Sequence, residues 1–227
     1  MILHIPHSSR ELSDYVTLDN EQGNLDYLTD TDVDELFWYE YCDMIKFPLS
    51  RFVCDVERLK VNEPMEFKGQ GIIYRKDCYG NDIIRHTSDE EIYKMYDDHH
   101  RKLTLAINRQ LAYYENVVIV DCHSFSSDVD EDVDEDVDIC VGTSDVHTPL
   151  KLVMIIVNHF HMEGLSVKIN DPYSGTMVPE HHYGNCNVKS VMIEINKNVY
   201  INNYVYEFKP IITDLLEKIN EYSWSIA

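Results

Sequence analysis

VVIVDCHSFSS, at residues 117–127, is the stretch from which the fold of this chain can be worked out. It opens with a run of β-branched residues, which is typical of a parallel strand covered on both faces. The run then changes abruptly to the polar group Asp121, Cys122, His123 and Ser124. Ligands of open α/β sheets bind where such strands end. His123 is therefore either part of a functional site or a residue that only hydrogen-bonds the end of the strand.

Short apolar strands alternate with amphipathic helices in the rest of the chain. The apolar spacing predicts further strands at residues 1–5, 46–56, 139–142, 167–169 and 191–195. It predicts helices at residues 29–44, 88–114, 149–163 and 204–222, the second of which begins with a capping box formed by Ser88 and Glu91. This alternation favours a mostly parallel sheet with helices on both faces.

Length and composition suit one sizeable domain. The 227 residues are 44% hydrophobic, so we expect a single domain over residues 1–227, with two small domains as the weaker alternative. No apolar run approaches the roughly 20 residues of a membrane-spanning helix, and the polar start MILHIPHSSR is unlike a signal peptide. The six scattered cysteines include no CxxC pair, which indicates buried thiols in a reducing compartment. We therefore expect a soluble cytoplasmic protein.

The net charge of −22 excludes several classes of partner. Eight acidic residues and no basic ones lie in residues 128–138, and the rest of the chain is also strongly acidic. Such a surface repels nucleic acid and anionic lipid, so we expect neither as a partner. The acidic segment itself has a low-complexity sequence from which no core can be built, so we predict a solvated loop insertion there.

Three polar residues lie in or directly after apolar strands. His7 follows the first strand, His123 ends the central one, and Glu194 interrupts the late strand VMIEI. An ionised carboxylate is costly to bury in a strand unless it is paired or faces a polar site. Two histidines and one carboxylate are the usual ligands of a catalytic zinc, and a separate glutamate can act as the base. The three residues therefore indicate a metal hydrolase, although the chain has no HExxH motif.

A set of segments that resembles the N-formylglutamate amidohydrolase family runs in order over nearly the whole chain: HIPHSS, TDTDVDELF, SRFVCDVER, DHHRKL, VDCHSFSS, DICVGT, PYSG and MIEINKNVYI. VDCHS followed by a late strand glutamate is also similar to the zinc carboxypeptidases. The resemblance implies a three-layer α/β/α sandwich with a mostly parallel, mixed central sheet, of the phosphorylase/hydrolase-like (zinc exopeptidase-like) kind. It also implies one zinc per chain, hydrolysis of an N-acyl acidic amino acid such as N-formylglutamate, and a place in amino-acid catabolism.

The resemblance implies a role for each matched residue. His7, Asp30 and His123 would bind the zinc, with Asp34 or Glu11 as alternative third ligands. Glu194 would be the catalytic base. The residues expected to contact the substrate are Arg51, Arg58, His100, Ser174 and Gly175.

Two departures from the family pattern bear on the substrate. Glu57 replaces the asparagine that usually precedes Arg58, and Asp98-His99 replaces the Pro-Tyr pair before His100. The arginines also have a structural alternative, which is to pair with Asp55 or Glu57. Other functions compatible with the sequence are a zinc carboxypeptidase-like peptidase acting on short or γ-glutamyl peptides, and a non-catalytic binding protein. The expected partner is a small anionic N-acyl amino acid, and the expected assembly is a monomer or homodimer.

Overall fold

The computed structural model describes residues 1–126, 137–201 and 205–225. Within these residues the strands are β1 Ile2–Ile5, β2 Val16–Thr17, β3 Asp43–Lys46, β4 Ile84–Arg85, β5 Val117–Phe125, β6 Ile139–Gly142, β7 Val167–Ile169 and β8 Val188–Asn196. The α-helices are α1 Glu21–Leu28, α2 Val33–Leu36, α3 Asp89–Leu111, α4 Leu150–Met162, α5 Lys197–Tyr200 and α6 Val205–Ser225. Short 3₁₀ helices cover Pro64–Lys68 and Glu180–His182.

The chain divides into two compact units. The larger unit consists of Met1–Ile5, Asp32–Ile45 and Leu103–Ala227, and the smaller unit of Pro6–Thr31 and Lys46–Lys102. The expectation of one domain over the whole chain stays a prediction. The acidic insertion predicted at residues 128–138 lies outside the described residues, except for Val137 and Asp138. No helix among the described residues is long and apolar enough to cross a bilayer.

The larger unit is built on a six-stranded sheet with the order β3-β1-β5-β8-β6-β7. β1, β5 and β8 are parallel neighbours, β6 runs antiparallel to β8, and β7 runs parallel to β6. One face of the sheet packs on α2, α4 and α6, and the other packs on the end of α3. This arrangement confirms the predicted α/β/α sandwich with a mostly parallel, mixed sheet.

Successive side chains of β5 alternate between an apolar face and a face that also carries polar residues. Val118, Val120 and Cys122 belong to the core on the side of α2, α4 and α6. Val117 and Ile119 pack on the opposite face against Leu103 and Ile107 of α3. Because successive side chains of a strand point to opposite faces, that second face continues into Asp121 and His123. The strand therefore carries two polar groups on one face while its other face stays apolar.

Most elements of the larger unit agree with the sequence prediction. β6 and β7 have the predicted bounds, and α4 and α6 differ from theirs by one to three residues. β5 is longer than expected, because the polar residues after Val120 continue the ladder with β8. The capping box of α3 is also confirmed, since the Glu91 amide donates to Ser88 Oγ and the Ser88 amide to the Glu91 carboxylate, both at 3.3 Å.

Two predicted elements are wrong. The helix expected at 29–44 is replaced by the four-residue α2, an irregular segment and the edge strand β3, because Asp32 takes the left-handed conformation (φ 60°) and residues 43–46 join the sheet instead. The strand expected at 46–56 does not form. Its backbone turns inward, with the Val53 amide donating to the Ser50 carbonyl and the Asp55 amide to the Ile72 carbonyl, both at 2.9 Å.

The smaller unit contains little regular structure. It holds α1, the two-stranded β2–β4 ribbon, the 3₁₀ helix Pro64–Lys68 and the first part of α3. Its irregular backbone is tied together by Arg85, whose guanidinium donates to the carbonyls of Phe52, Val53 and Tyr74. Burying loop backbone requires such partners, so this unit depends on side-chain hydrogen bonds where the larger unit uses a sheet.

Candidate metal and active site

His7, in the smaller unit, is fixed through both its backbone and its ring. Its carbonyl accepts the Asp30 amide at 3.0 Å, and its Nε2 donates to Asp55 Oδ1 at 2.9 Å. An ionised carboxylate only accepts, so this bond places a hydrogen on Nε2. Burial lowers the pKa of His7, and the charge of Arg51 lowers it further. The neutral ring is favoured, and its Nδ1 then carries a lone pair.

Two carboxylates lie beside that lone pair. His7 Nδ1 is 3.7 Å from Glu57 Oε2 and 3.8 Å from Asp30 Oδ2, and His7 and Asp30 are both almost completely buried. These separations exceed a hydrogen bond but are close to the roughly 3.4 Å between two ligands of a tetrahedral zinc with bonds of about 2.1 Å. Imidazole nitrogen and carboxylate oxygen are both ligands that divalent cations take in proteins. The smaller unit therefore holds a histidine and carboxylates that fit a metal ion.

Asp55 organises the side of this cluster away from the lone pair. Its Oδ1 accepts His7 Nε2 and the Glu57 amide, the latter at 3.1 Å. Its Oδ2 accepts Arg51 at 2.8 Å and the Tyr74 hydroxyl at 2.9 Å, and lies 3.2 Å from Arg58 Nε. Burial alone would raise its pKa, but the charges of Arg51 and Arg58 and the hydrogen bond from His7 hold the pKa of Asp55 well below its usual range. Both predicted substrate arginines thus contact Asp55, and their role in binding substrate stays a prediction.

A second cluster lies in the larger unit, around His123. His4 Nδ1 donates to Asp121 Oδ1 at 2.7 Å, and the Met177 amide donates to Asp121 Oδ2 at 2.8 Å. His123 Nε2 lies 3.3 Å from the same Asp121 Oδ1, and all three side chains are nearly inaccessible to solvent. Burial by itself would raise the pKa of Asp121, but the interactions with His123 and His4 hold it well below its usual range. Asp121 is therefore an ionised carboxylate between two histidines.

Glu194 is the cross-strand neighbour of His123. The two residues are register partners on β5 and β8, and Cys140 of β6 is the partner of Glu194 on its other side. Register partners point to the same face of a sheet, so Glu194 shares the polar face with His123. Burial raises the pKa of the Cys140 thiol to about 11, and the thiol donates to the Tyr173 carbonyl at 3.1 Å. The backbone of β8 thus places Glu194 on the polar face of the sheet, between His123 and the neutral thiol of Cys140.

The remaining predicted substrate residues take these positions. His100 Nε2 donates to the Val56 carbonyl at 2.7 Å, and its ring stacks on Tyr96 with 4.2 Å between centroids. Gly175 (φ +94°) lies in the loop after β7. Its carbonyl approaches β6 so closely that a Cβ on Gly142 would lie 2.4 Å from it. Ser174 is exposed on the same loop.

Of the carboxylates considered as third ligand, Asp30 is the one found beside His7. Glu11 is exposed, and its carboxylate accepts the Ser13 amide and hydroxyl at 2.8 and 2.6 Å. Asp34 lies in the first turn of α2, in the larger unit.

Sequence reasoning missed four residues of the two clusters. Glu57 was noted as a departure from the family pattern, and both Glu57 and Asp55 as alternative partners of the arginines. His4 looked like part of an apolar strand, and Asp121 like the end of one. One signal could have found the last two. Asp121 stands two residues before His123, so the two side chains lie on the same face of their strand. His4 stands two residues after Ile2 and therefore lies on the same face of β1 as Ile2.

A model of the N-formylglutamate amidohydrolase family matches residues 1–201. The chain belongs to the N-formylglutamate amidohydrolase family. Membership supports an amidohydrolase activity on a small amino-acid derivative. No curated protein matches the sequence significantly.

Two solved structures share the fold at low sequence identity. One is an N-formylglutamate amidohydrolase from Ralstonia eutropha JMP134, with a TM-score of 0.84 and 18% identity over 100% of this chain and 94% of that one. The other is a protein of Agrobacterium tumefaciens, with a TM-score of 0.61 and 20% identity over 96% of this chain and 91% of that one. At this identity the likeness establishes the fold alone.

Proposed function

We propose that this chain is a zinc-dependent amidohydrolase that cleaves the amide bond of an N-formyl acidic amino acid such as N-formylglutamate. The observation that carries the metal dependence is the geometry of His7. Its Nε2 donates to Asp55 while its Nδ1 faces Asp30 and Glu57 at 3.8 and 3.7 Å. A histidine that ligates a metal through one nitrogen typically donates its other N–H to a carboxylate, which fixes the tautomer.

The zinc ligands in this proposal are His7, Asp30 and His123. The position of the two histidines in the chain supports grouping them, since β1 and β5 are parallel neighbours. His7 follows β1 by two residues, and His123 lies near the carboxyl end of β5. Asp121 lies 3.3 Å from Nε2 of His123, and Asp55 lies 2.9 Å from Nε2 of His7. Bound zinc would polarise the amide carbonyl and lower the pKa of a water molecule to about 7.

Glu194 is proposed as the general base. Its carboxylate would accept a proton from the attacking water and deliver it to the nitrogen of the leaving amino acid. A base must be ionised and held in a fixed position, and β8 provides both the rigid backbone and the polar face shared with His123. The amide bond breaks between carbonyl carbon and nitrogen, which releases the acyl group as a carboxylate and the amino acid as an amine.

Arg51 and Arg58 are proposed to bind the carboxylates of the substrate. Their side chains are 15% and 23% exposed, so each guanidinium that contacts Asp55 keeps part of its surface accessible. A planar guanidinium can bind a carboxylate through two parallel hydrogen bonds. His100, Ser174 and Gly175 complete the proposed substrate contacts. A cytoplasmic location, a role in amino-acid catabolism, and a monomer or homodimer remain part of the same proposal.

The metal content of protein purified without added metal tests the proposal. We expect one zinc per chain in the parent and a loss of zinc in His7→Ala and His123→Ala. His161→Ala is the matched control, because His161 is an exposed histidine at the end of α4. Retention of zinc in both site variants would refute the ligand assignment.

Substrate choice is tested by release of amine from N-formylglutamate and from N-formylleucine. We expect efficient cleavage of the first and poor cleavage of the second, because only the first presents a second carboxylate. Equal rates would refute the acidic substrate while leaving the amidohydrolase reaction in place. Cleavage of extended peptides would instead indicate a carboxypeptidase-like enzyme.

A further inference from the structure

The backbone at Glu57 is fixed by hydrogen bonds although it lies in an irregular segment. The peptide unit that joins Val56 to Glu57 is bonded at both ends: its carbonyl accepts His100 Nε2 at 2.7 Å, and its amide donates to Asp55 Oδ1 at 3.1 Å. The preceding residue is also fixed, since the Asp55 amide donates to the Ile72 carbonyl at 2.9 Å. These bonds fix where the side chain of Glu57 starts.

The Glu57 side chain extends from that peptide to the lone-pair side of His7. Its Oε2 lies 3.7 Å from His7 Nδ1, nearly the same distance as Asp30 Oδ2 at 3.8 Å. The carboxylate is 19% exposed, so it is partly desolvated but less so than Asp30, which is 5% exposed. The distance to His7 Nδ1 therefore does not distinguish Glu57 from Asp30 as a partner of a cation bound at that nitrogen.

Charge supports the same conclusion. The residues around His7 in the smaller unit include three carboxylates, on Asp30, Asp55 and Glu57, and two guanidinium groups, on Arg51 and Arg58. Both guanidinium groups are directed at Asp55, on the Nε2 side of the ring. Asp30 and Glu57 lie on the Nδ1 side of the ring, each within 4 Å of that nitrogen. Their two negative charges would balance a divalent cation bound there.

We propose that Glu57 is a second carboxylate ligand of the metal, beside Asp30, so that this chain binds its cation through a two-carboxylate set. The inference rests on the proposed metal dependence. Carboxylates suit harder divalent ions such as Mn²⁺, whereas imidazole suits Zn²⁺. A second carboxylate therefore raises affinity for both ions and raises it more for Mn²⁺.

Metal affinity of Glu57→Gln tests this inference. The substitution keeps the shape of the side chain and removes its charge. Loss of a residue that only supports a ligand typically costs 10- to 100-fold in metal affinity, so loss of a ligand should weaken Zn²⁺ binding at least about 100-fold. Mn²⁺ binding should weaken by a larger factor than Zn²⁺ binding. Both dissociation constants are measured by competition with a chromophoric chelator on the metal-free protein.

Glu90→Gln is the matched control, because it removes the same charge from an exposed glutamate of the same unit. We expect it to bind both metals like the parent. Melting temperatures with and without metal provide a second readout. Metal-free Glu57→Gln should melt like the metal-free parent, and the stabilisation that Zn²⁺ gives the parent should shrink in the variant.

The outcomes separate this inference from the proposed function. If the parent binds no divalent metal, the zinc dependence and the role of Glu57 both fail. If the parent binds Zn²⁺ and Glu57→Gln binds it equally well, only the role of Glu57 fails. Equal losses for Zn²⁺ and Mn²⁺ would refute the two-carboxylate set, since a general loss of structure does not discriminate between metals.

Discussion

Each of the two units places a buried carboxylate beside Nε2 of a histidine, but the two units build that arrangement from different structure. In each, a buried carboxylate lies beside Nε2 of the histidine, at 2.9 Å for Asp55 and His7 and at 3.3 Å for Asp121 and His123. Asp121 and His123 stand on one strand, two residues apart, and the sheet register directs both to one face. Asp55 and His7 are 48 residues apart in irregular segments.

The surroundings of the two carboxylates differ accordingly. Asp55 is neutralised by Arg51 and Arg58, whereas Asp121 receives hydrogen bonds from His4 and the Met177 amide. A buried carboxylate must be paired or hydrogen-bonded, and the smaller unit meets this requirement mainly with guanidinium groups. The comparison teaches that the carboxylate of the smaller unit has a larger structural role, and the carboxylate of the larger unit a larger positioning role.

The largest expected effect comes from Glu194, the proposed general base, which lies in the larger unit. Glu194→Gln should lower the turnover of N-formylglutamate by a factor of about 10² to 10⁴, the range that a general base contributes. Zinc content and melting temperature should stay at the parent values. Near-normal turnover, or loss of zinc in parallel with activity, would show that Glu194 is not the base.

The next largest effect is on the free energy of unfolding, and it tests whether Asp55 stabilises the fold more than Asp121 does. Asp55→Asn leaves two largely buried arginines without their carboxylate, and breaking a buried ion pair costs about 3–5 kcal/mol. Asp121→Asn replaces one of two accepting oxygens with an NH2 group, so one of the hydrogen bonds from His4 and the Met177 amide is lost, for which about 1–3 kcal/mol is typical. Urea denaturation of both variants gives the two free energies of unfolding. An equal or reversed order would remove the distinction between the two carboxylates.

The pH dependence of the free energy of unfolding gives a second test of the role of Asp55. The pKa of Asp55 is depressed in the folded state, so its charge adds stability that is present above the unfolded pKa and lost as the pH falls through the folded pKa. The stability gap between parent and Asp55→Asn should therefore be constant above about pH 5 and shrink below about pH 4. A gap that does not change with pH would show that the charge of Asp55 is not what stabilises this unit.

A smaller effect is expected from His4, which hydrogen-bonds Asp121 and is not itself a proposed zinc ligand. His4→Asn removes the 2.7 Å hydrogen bond that orients Asp121 and should weaken Zn²⁺ affinity about 10- to 100-fold. His159→Asn is the control, since His159 is a buried histidine of the same unit that donates to the Ile211 carbonyl instead. Equal Zn²⁺ affinity in the two variants would show that His4 is only structural.

The smallest effect is expected from the acidic insertion. Deletion of residues 128–136 should change the free energy of unfolding by no more than about 0.5 kcal/mol, because that sequence cannot form a core. Val137 and Asp138 are kept, since Val137 is buried and Asp138 accepts the Ser166 amide at 2.8 Å. A marked loss of stability on deletion would point to a cation bound by the insertion.

The larger unit could be predicted from sequence because its strands and helices are periodic and its polar residues interrupt that periodicity. Val117–Val120 and VMIEI mark buried strands, and His123 and Glu194 stand out against them. His4 does not, because one histidine in a five-residue apolar strand resembles ordinary variation. Its meaning depends on Asp121, which is 117 residues away and becomes its partner only through the register of β1 and β5.

The smaller unit could not be predicted in the same way. Residues 46–56 have the composition of a strand, but Ser50 and Asp55 instead take part in turns and in hydrogen bonds to distant carbonyls. Such bonds depend on the conformation of segments far apart in sequence, and periodicity carries no information about them. His7 was singled out because it follows an apolar strand, and Asp30 through the family resemblance. Glu57, which departs from the family pattern, was not recognised as their neighbour.

The alternation along β5 makes the chemistry of this chain inseparable from its folding. A shift of one residue in the pairing of β5 would turn His123 toward the core and Cys122 toward the polar face, and would reverse Val118 and Val120 as well. The misaligned strand would bury Asp121 and His123 under α2, α4 and α6, where burying polar groups is costly. The hydrophobic pattern of β5 therefore selects the register that places His123 on the polar face. We expect no compact state with a shifted β5 register to compete with the native fold.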